Sequence, residues 1–146
     1  MDTQAGAGDC VVLDTNIVLD LFVFDDPAAR ALKSAVITGQ LHWLATAAMR
    51  VELARVLDYP QVAKRMTRDG LVGAQVLLAF DTRARIVAAA PKAPVTCSDT
   101  DDQIFIDLAV AHQAWLLSKD RAVLCMKKRL LALGVRAQAA INTVAI

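Results

Sequence analysis

Aromatic residues are scarce in this chain. Two Trp, one Tyr and four Phe make up 5% of it, although 56% of its residues are hydrophobic. Ala, Val and Leu must therefore build the interior of a 146-residue chain, which is long enough for one domain with a sizeable core. Long apolar runs are missing as well. No stretch approaches the roughly 18 uninterrupted apolar residues of a membrane span, so a transmembrane helix is not expected. The three cysteines, Cys10, Cys97 and Cys125, are odd in number and far apart. That spacing excludes a disulfide framework and fits a reducing cytoplasm. Charge of one sign is lacking too: sixteen basic against fifteen acidic residues leave +1. Any affinity for nucleic acid must then come from a local patch. MDTQAGAGD at the start has neither basic residues nor an apolar stretch. Residues 1–9 read as a disordered lead rather than a signal peptide, with a single domain over 10–146.

Several reaction classes lack their residues. No Gly-rich phosphate loop and no serine in a G-x-S-x-G turn is present. His42 and His112 stand alone, and no Cys or His pair has zinc-ligand spacing.

What the chain does have is alternation. Residues 10–14 are apolar and β-branched, and Thr15-Asn16 supplies helix-start chemistry for IVLDLFVF, which stops before Pro27. The spacing in 27–38 predicts a helix capped by Gly39, then a strand at 42–46, then a helix over 47–59 opened by Thr46. One or two helices interrupted by Gly70 and Gly73 lead to a third strand, RIVAAA, and a loop, PKAPVTCSDT. DDQIFIDLAVAHQ reads as a helix, AWLLSKD as a fourth strand, RAVLCMKKRLLALG as one helix and VRAQAAI as a weak fifth strand. Strands alternating with helices imply an α/β fold, a three-layer α/β/α sandwich around a mainly parallel sheet of four to five strands.

Acids punctuate this pattern. Asp14 and Asp120 close apolar strands, Glu52 lies inside the third helix, and Asp102 opens the helix that follows the long loop. Side chains at the carboxyl ends of parallel strands meet in the crevice where open α/β sheets bind ligands. Three or four carboxylates in one crevice are hard oxygen ligands, suited to magnesium or manganese rather than zinc. Such sites cleave phosphodiesters, since divalent charge makes water a better nucleophile and neutralises charge in the transition state. Without a metal, clustered carboxylates repel and resist full ionisation. Asp101 is a rival to Asp102, since one of the two can be merely a favourable charge on a helix N-terminus. Asp14 can equally serve as a helix cap. Asp99 and Asp107 read as structural. Lys119 and Arg121 flank Asp120 and are candidates for RNA phosphate contacts. Arg50, Arg55, Lys64, Arg65 and Arg68 give the middle helices a basic side.

VVLDTNIVLDL, the Glu52 helix, DTDDQIFIDLAVA and WLLSKDRAVL together resemble the PIN (PilT N-terminal) domain family. The likeness is closest to the bacterial branch known as toxin components of toxin–antitoxin pairs, and it runs from residue 10 to about 140. It implies a magnesium- or manganese-dependent endoribonuclease, commonly a homodimer, with RNA as substrate, an antitoxin protein as partner and no membrane association. It maps the catalytic, metal-holding acids onto Asp14, Glu52, Asp102 and Asp120. Thr15, Asn16, Ser118 and Asp101 become supporting residues. The apolar IVLDLFVF is expected to leave a patch for the dimer. Two other classes stay open: a phosphotransferase or phosphatase on a doubly wound sheet with Asp14 as nucleophile, and a non-catalytic RNA- or protein-binding module keeping the fold.

Overall fold

The computed structural model describes residues 10–140. The expected lead at 1–9 and Ile141 of the expected fifth strand lie outside the described residues. Five strands form one wholly parallel sheet: β1 (Cys10–Leu13), β2 (His42–Ala45), β3 (Ala84–Ile86), β4 (Trp115–Leu117) and β5 (Ala137–Gln138). Their order is β3-β2-β1-β4-β5. From β1 the chain steps outward through β2 to β3, then returns to the other side of β1 as β4. The reversal lies between β1 and β4, whose register pairs Val12 with Leu116 and Leu13 with Leu117. In such sheets the crevice outside the strand ends opens at that reversal.

The helices are α1 (Thr15–Phe22), α2 (Arg30–Thr38), α3 (Ala47–Val56), α4 (Pro60–Arg68), α5 (Gly73–Arg83), α6 (Gln103–His112), α7 (Arg121–Leu124) and α8 (Lys127–Ala132). None of them is long and apolar enough to cross a membrane. The fold is the three-layer α/β sandwich expected. Val11, Val12, Leu116 and Leu117 are fully buried, as strands covered on both faces must be. Trp43 anchors the β2 side, stacked on Phe22 and meeting the edge of Phe80 at a centroid distance of 5.1 Å.

Several boundaries differ from the sequence reading, each for a physical reason. The first helix begins at Thr15 because Asp14 caps it, and it ends at Phe22, since Asp25 takes a positive φ of 48° ahead of Pro27. The apolar residues of IVLDLFVF expected to face a dimer partner are largely core: Ile17, Val18, Leu19, Leu21 and Val23 are buried. RIVAAA pairs only through Ile86, with one further bond from Val87 N–H to the Ala45 carbonyl. The fifth strand shrinks to two residues. The helix read over 121–134 is two pieces. Its α-helical ladder breaks at Cys125-Met126, where the Met126 N–H bonds the Val123 carbonyl three residues back, and Val123, Met126 and Leu130 are all buried. Gly134 (φ +84°) then turns the chain into β5, and a Cβ there would fall 2.1 Å from Gln113 Oε1.

Candidate metal centre

Asp14 follows the last residue of β1. Its side chain caps α1 by accepting from Asn16 N–H, and it also accepts from Ser118 Oγ at 2.6 Å. Ser118 follows β4 and is wholly buried. Its oxygen accepts in turn from Asp120 N–H at 3.0 Å, so one hydroxyl ties the acid of β1 to the acid after β4. Asp120 caps α7 through Ala122 N–H. The capping role is therefore real for both acids, and it fixes where their carboxylates point.

Asp102 arrives from the loop before α6. That loop is held by Gln103, whose amide donates to the Val95 carbonyl and to Asp107 while accepting from Cys97 N–H. Asp107 also accepts from Ala93 N–H at 2.9 Å, which satisfies this carboxylate in its half-buried place and gives it the structural role expected. A 3-10 turn, Thr100–Asp102, capped by Asp99, then carries Asp102 inward. Of the doubled acids, Asp102 is buried and Asp101 is exposed at the rim.

Asp14, Asp102 and Asp120 each offer an oxygen, and all three oxygens lie within 4.8 Å of one another. No basic side chain stands among them. Burial pushes the Asp14 carboxyl above its usual range, and the charges of Asp120 and Glu52 add to this against the bonds from Ser118 and Asn16. Asp102 is pushed up to about 8, first by burial and then by the adjoining Asp120 and the charge of Asp14. Among the described residues Asp102 Oδ2 is buried and finds no hydrogen-bond partner. A buried oxygen left unsatisfied is costly unless something positive or protonated meets it. Hard oxygens, three at one point and one orphaned, fit a divalent cation such as magnesium or manganese.

Glu52 sits apart from this convergence, on the wall of the same cleft of about 320 Å³. It accepts from the Thr15 hydroxyl and lies 3.9 Å from Arg55. Thr15, Asn16 and Asp101 also line the cleft. Lys119 and Arg121 do not. Lys119 is drawn to Asp20, an acid buried on α1, at 2.5 Å in a separate hollow. The cation that does line the cleft is Arg55, which the sequence placed only in a general basic set. Tyr59 and Gln61 line it too. Nothing in their own sequence context singles these out, because they reach the cleft through the turn between α3 and α4.

A family model described as PIN domain matches residues 10–122, most of the chain. A search of curated proteins finds no match.

Proposed function

Because the chain belongs to the PIN domain family, whose members are typically metal-using nucleases, we propose that it is a metal-dependent endoribonuclease hydrolysing RNA phosphodiesters. The observation that carries this reading is the orphaned Asp102 oxygen inside a cluster of carboxylates with no internal counter-charge. Asp14, Asp102 and Asp120 would hold magnesium or manganese, with Glu52 as the fourth acid. When bound, a divalent ion supplies the positive charge that favours attack by water and offsets charge on the phosphoryl oxygens. The protein's own part is positional. Ser118 keeps Asp14 and Asp120 in register, Gln103 holds the loop that delivers Asp102, and Thr15 orients Glu52. Glu52, standing off from the other three, would orient the attacking water.

Incubating the protein with a generic RNA tests the reading. We expect cleavage with magnesium or manganese that stops in chelator and in Asp14→Asn. Inert protein would leave a binding module, and a phosphoryl group carried on Asp14 from a small phosphodonor, with RNA left uncut, would favour the phosphotransferase.

The same reading extends to biology. The chain would act in the cytoplasm as the toxin of a type II toxin–antitoxin pair, be a homodimer, and be silenced by an antitoxin that presents a cation to the acids. Expression of the chain alone should arrest growth, and the product of an adjacent reading frame should relieve it. Light scattering at micromolar concentration should give twice the 15.7 kDa chain mass.

A further inference from the structure

The cleft has two unlike walls. One carries Asp14, Asp102 and Asp120. The other, from the end of α3 and the start of α4, carries Arg55, Val56, Tyr59 and Val62. Two aromatic rings line the cleft and they differ in availability. Phe24 is half-buried, with the Arg65 guanidinium 5.6 Å from its ring centroid. Tyr59 is 42% exposed, and among the described residues no ring or cation covers it. Its backbone is also stiff: Tyr59 precedes Pro60, the first residue of α4, and is held extended at φ −64°, ψ 137°. An exposed ring on a preset backbone loses little entropy when something stacks on it.

Arg55 is the one cation on the cleft lining among the described residues. Its side chain is 63% exposed and its partner Glu52 is 3.9 Å away. Arg50, one turn earlier on α3, instead grips Asp81 with two bonds of 2.7 and 2.8 Å. Arg55 therefore keeps its donors for another anion. A stacking face and a loosely paired guanidinium, on the lining of the cleft that also holds the acids, are groups suited to a base and to a phosphate of a nucleic acid strand. Paired bases cannot offer that face, since a duplex keeps them stacked inside. The volume of about 320 Å³ is at the small end of ligand sites and suits a single nucleotide.

We propose that Tyr59 stacks one unpaired base of the RNA while Arg55 holds its neighbouring phosphate, so that this wall sets which phosphodiester meets the acids. The proposal rests on the nuclease reading and deepens it.

The test is the KM and kcat of full-length protein with magnesium on a short single-stranded RNA, on its duplex, and on versions abasic at each position in turn. Tyr59→Ala should raise KM roughly 5- to 150-fold, the range of losing one base–aromatic stack, with kcat changing less. Tyr59→Phe should behave as wild type. One abasic position should weaken wild type by a similar factor and erase the difference between wild type and Tyr59→Ala. Arg55→Gln should flatten the salt dependence of log KM by about 0.7 per log unit of salt, the value for one phosphate on a single strand. Two results would overturn the proposal while leaving the nuclease reading intact. They are a Tyr59→Ala penalty that persists unchanged on every abasic RNA, and a duplex cut as readily as the single strand. The abasic series alters only the RNA, so it stands even if a protein variant folds poorly. Absence of cleavage of any RNA by wild type would bring down both readings together.

Discussion

Two groups of aspartates in this molecule respond to their surroundings in opposite ways. Asp81 on α5 and Asp69 just after α4 are exposed and gripped by arginines: Arg50 holds the first, Arg65 and Arg68 the second. Those bonds pull both carboxyls below their usual range. Asp14 and Asp102 are buried among other acids and move the other way. The surface acids have their counter-charge built in, and solvent screens what remains. Among the described residues Asp14, Asp102 and Asp120 have none, although the chain carries sixteen basic residues and places Arg55 beside Glu52 on the same cleft. Three converging carboxylates either keep a proton, as Asp102 does, or take a cation from outside. That contrast marks the cluster as a candidate site.

The contrast breaks most visibly if an acid is neutralised. Asp102→Asn or Asp14→Asn should lower RNA cleavage by roughly 100-fold or more, since each removes an oxygen from the cation site. In chelator the same variants should melt no lower than wild type, because the cost of charging or protonating a buried carboxyl has gone. A variant that unfolds in chelator would make its acid structural. Asp101→Asn serves as the comparison, with a small effect expected at the exposed rim.

Ser118→Ala tests the link between the two strand-end acids. It should cost roughly 10- to 100-fold in metal affinity or cleavage, as loss of a ligand's supporting bond does elsewhere. Unchanged activity would show that Asp14 and Asp120 hold their places without it.

Acidity sharpens the comparison through stability. Asp102 in the folded protein holds its proton up to about pH 8, whereas the unfolded chain releases it near the ordinary carboxyl value of 3.8. The folded state therefore binds more protons between those values, and stability falls as pH rises through that window. Thermal melts in chelator should show a higher midpoint at pH 5 than at pH 8, with a flatter profile for Asp102→Asn. Magnesium should reverse the loss at pH 8. At ten to a hundred times Kd it adds RT ln(1 + [L]/Kd), about 1.4 to 2.7 kcal/mol, and the acid variants should gain much less. A wild type indifferent to magnesium would contradict the metal site.

The smallest effect belongs to the paired acids. Arg50→Ala should barely move the melting midpoint, and less still in high salt, because the Arg50–Asp81 pair is exposed on both sides. A large drop would mean that the link between α3 and α5 matters more than its exposure suggests.

The order of elements was legible because burial on both faces of a parallel sheet writes short continuous apolar runs, and turn residues separate them. Strand lengths were less legible. RIVAAA has strand-like composition throughout, but only Ala84–Ile86 has β2 alongside to pair with. The break at Cys125-Met126 was invisible because both residues tolerate a helix and because Val123, Met126 and Leu130 keep the spacing of one continuous helix face. Among the site residues, Asp14 and Asp120 stood out because each follows a strand and begins a helix. The pairing of Lys119 with Asp20 left no mark in the sequence, because the two are distant in the chain. Arg55 and Tyr59 carried no local mark at all.

Residue chemistry and spacing alone settled that this chain alternates strands and helices, and that strand-end acids would face one sheet edge. Periodicity and capping are local and can be read along a line. Folding in space decided that Asp102 rather than Asp101 joins Asp14 and Asp120, and that Glu52 stands aside on Thr15. It also decided which cations reach the cleft. Those outcomes depend on which buried oxygen finds a partner across the reversal between β1 and β4, and a linear chain does not encode such distances one residue at a time.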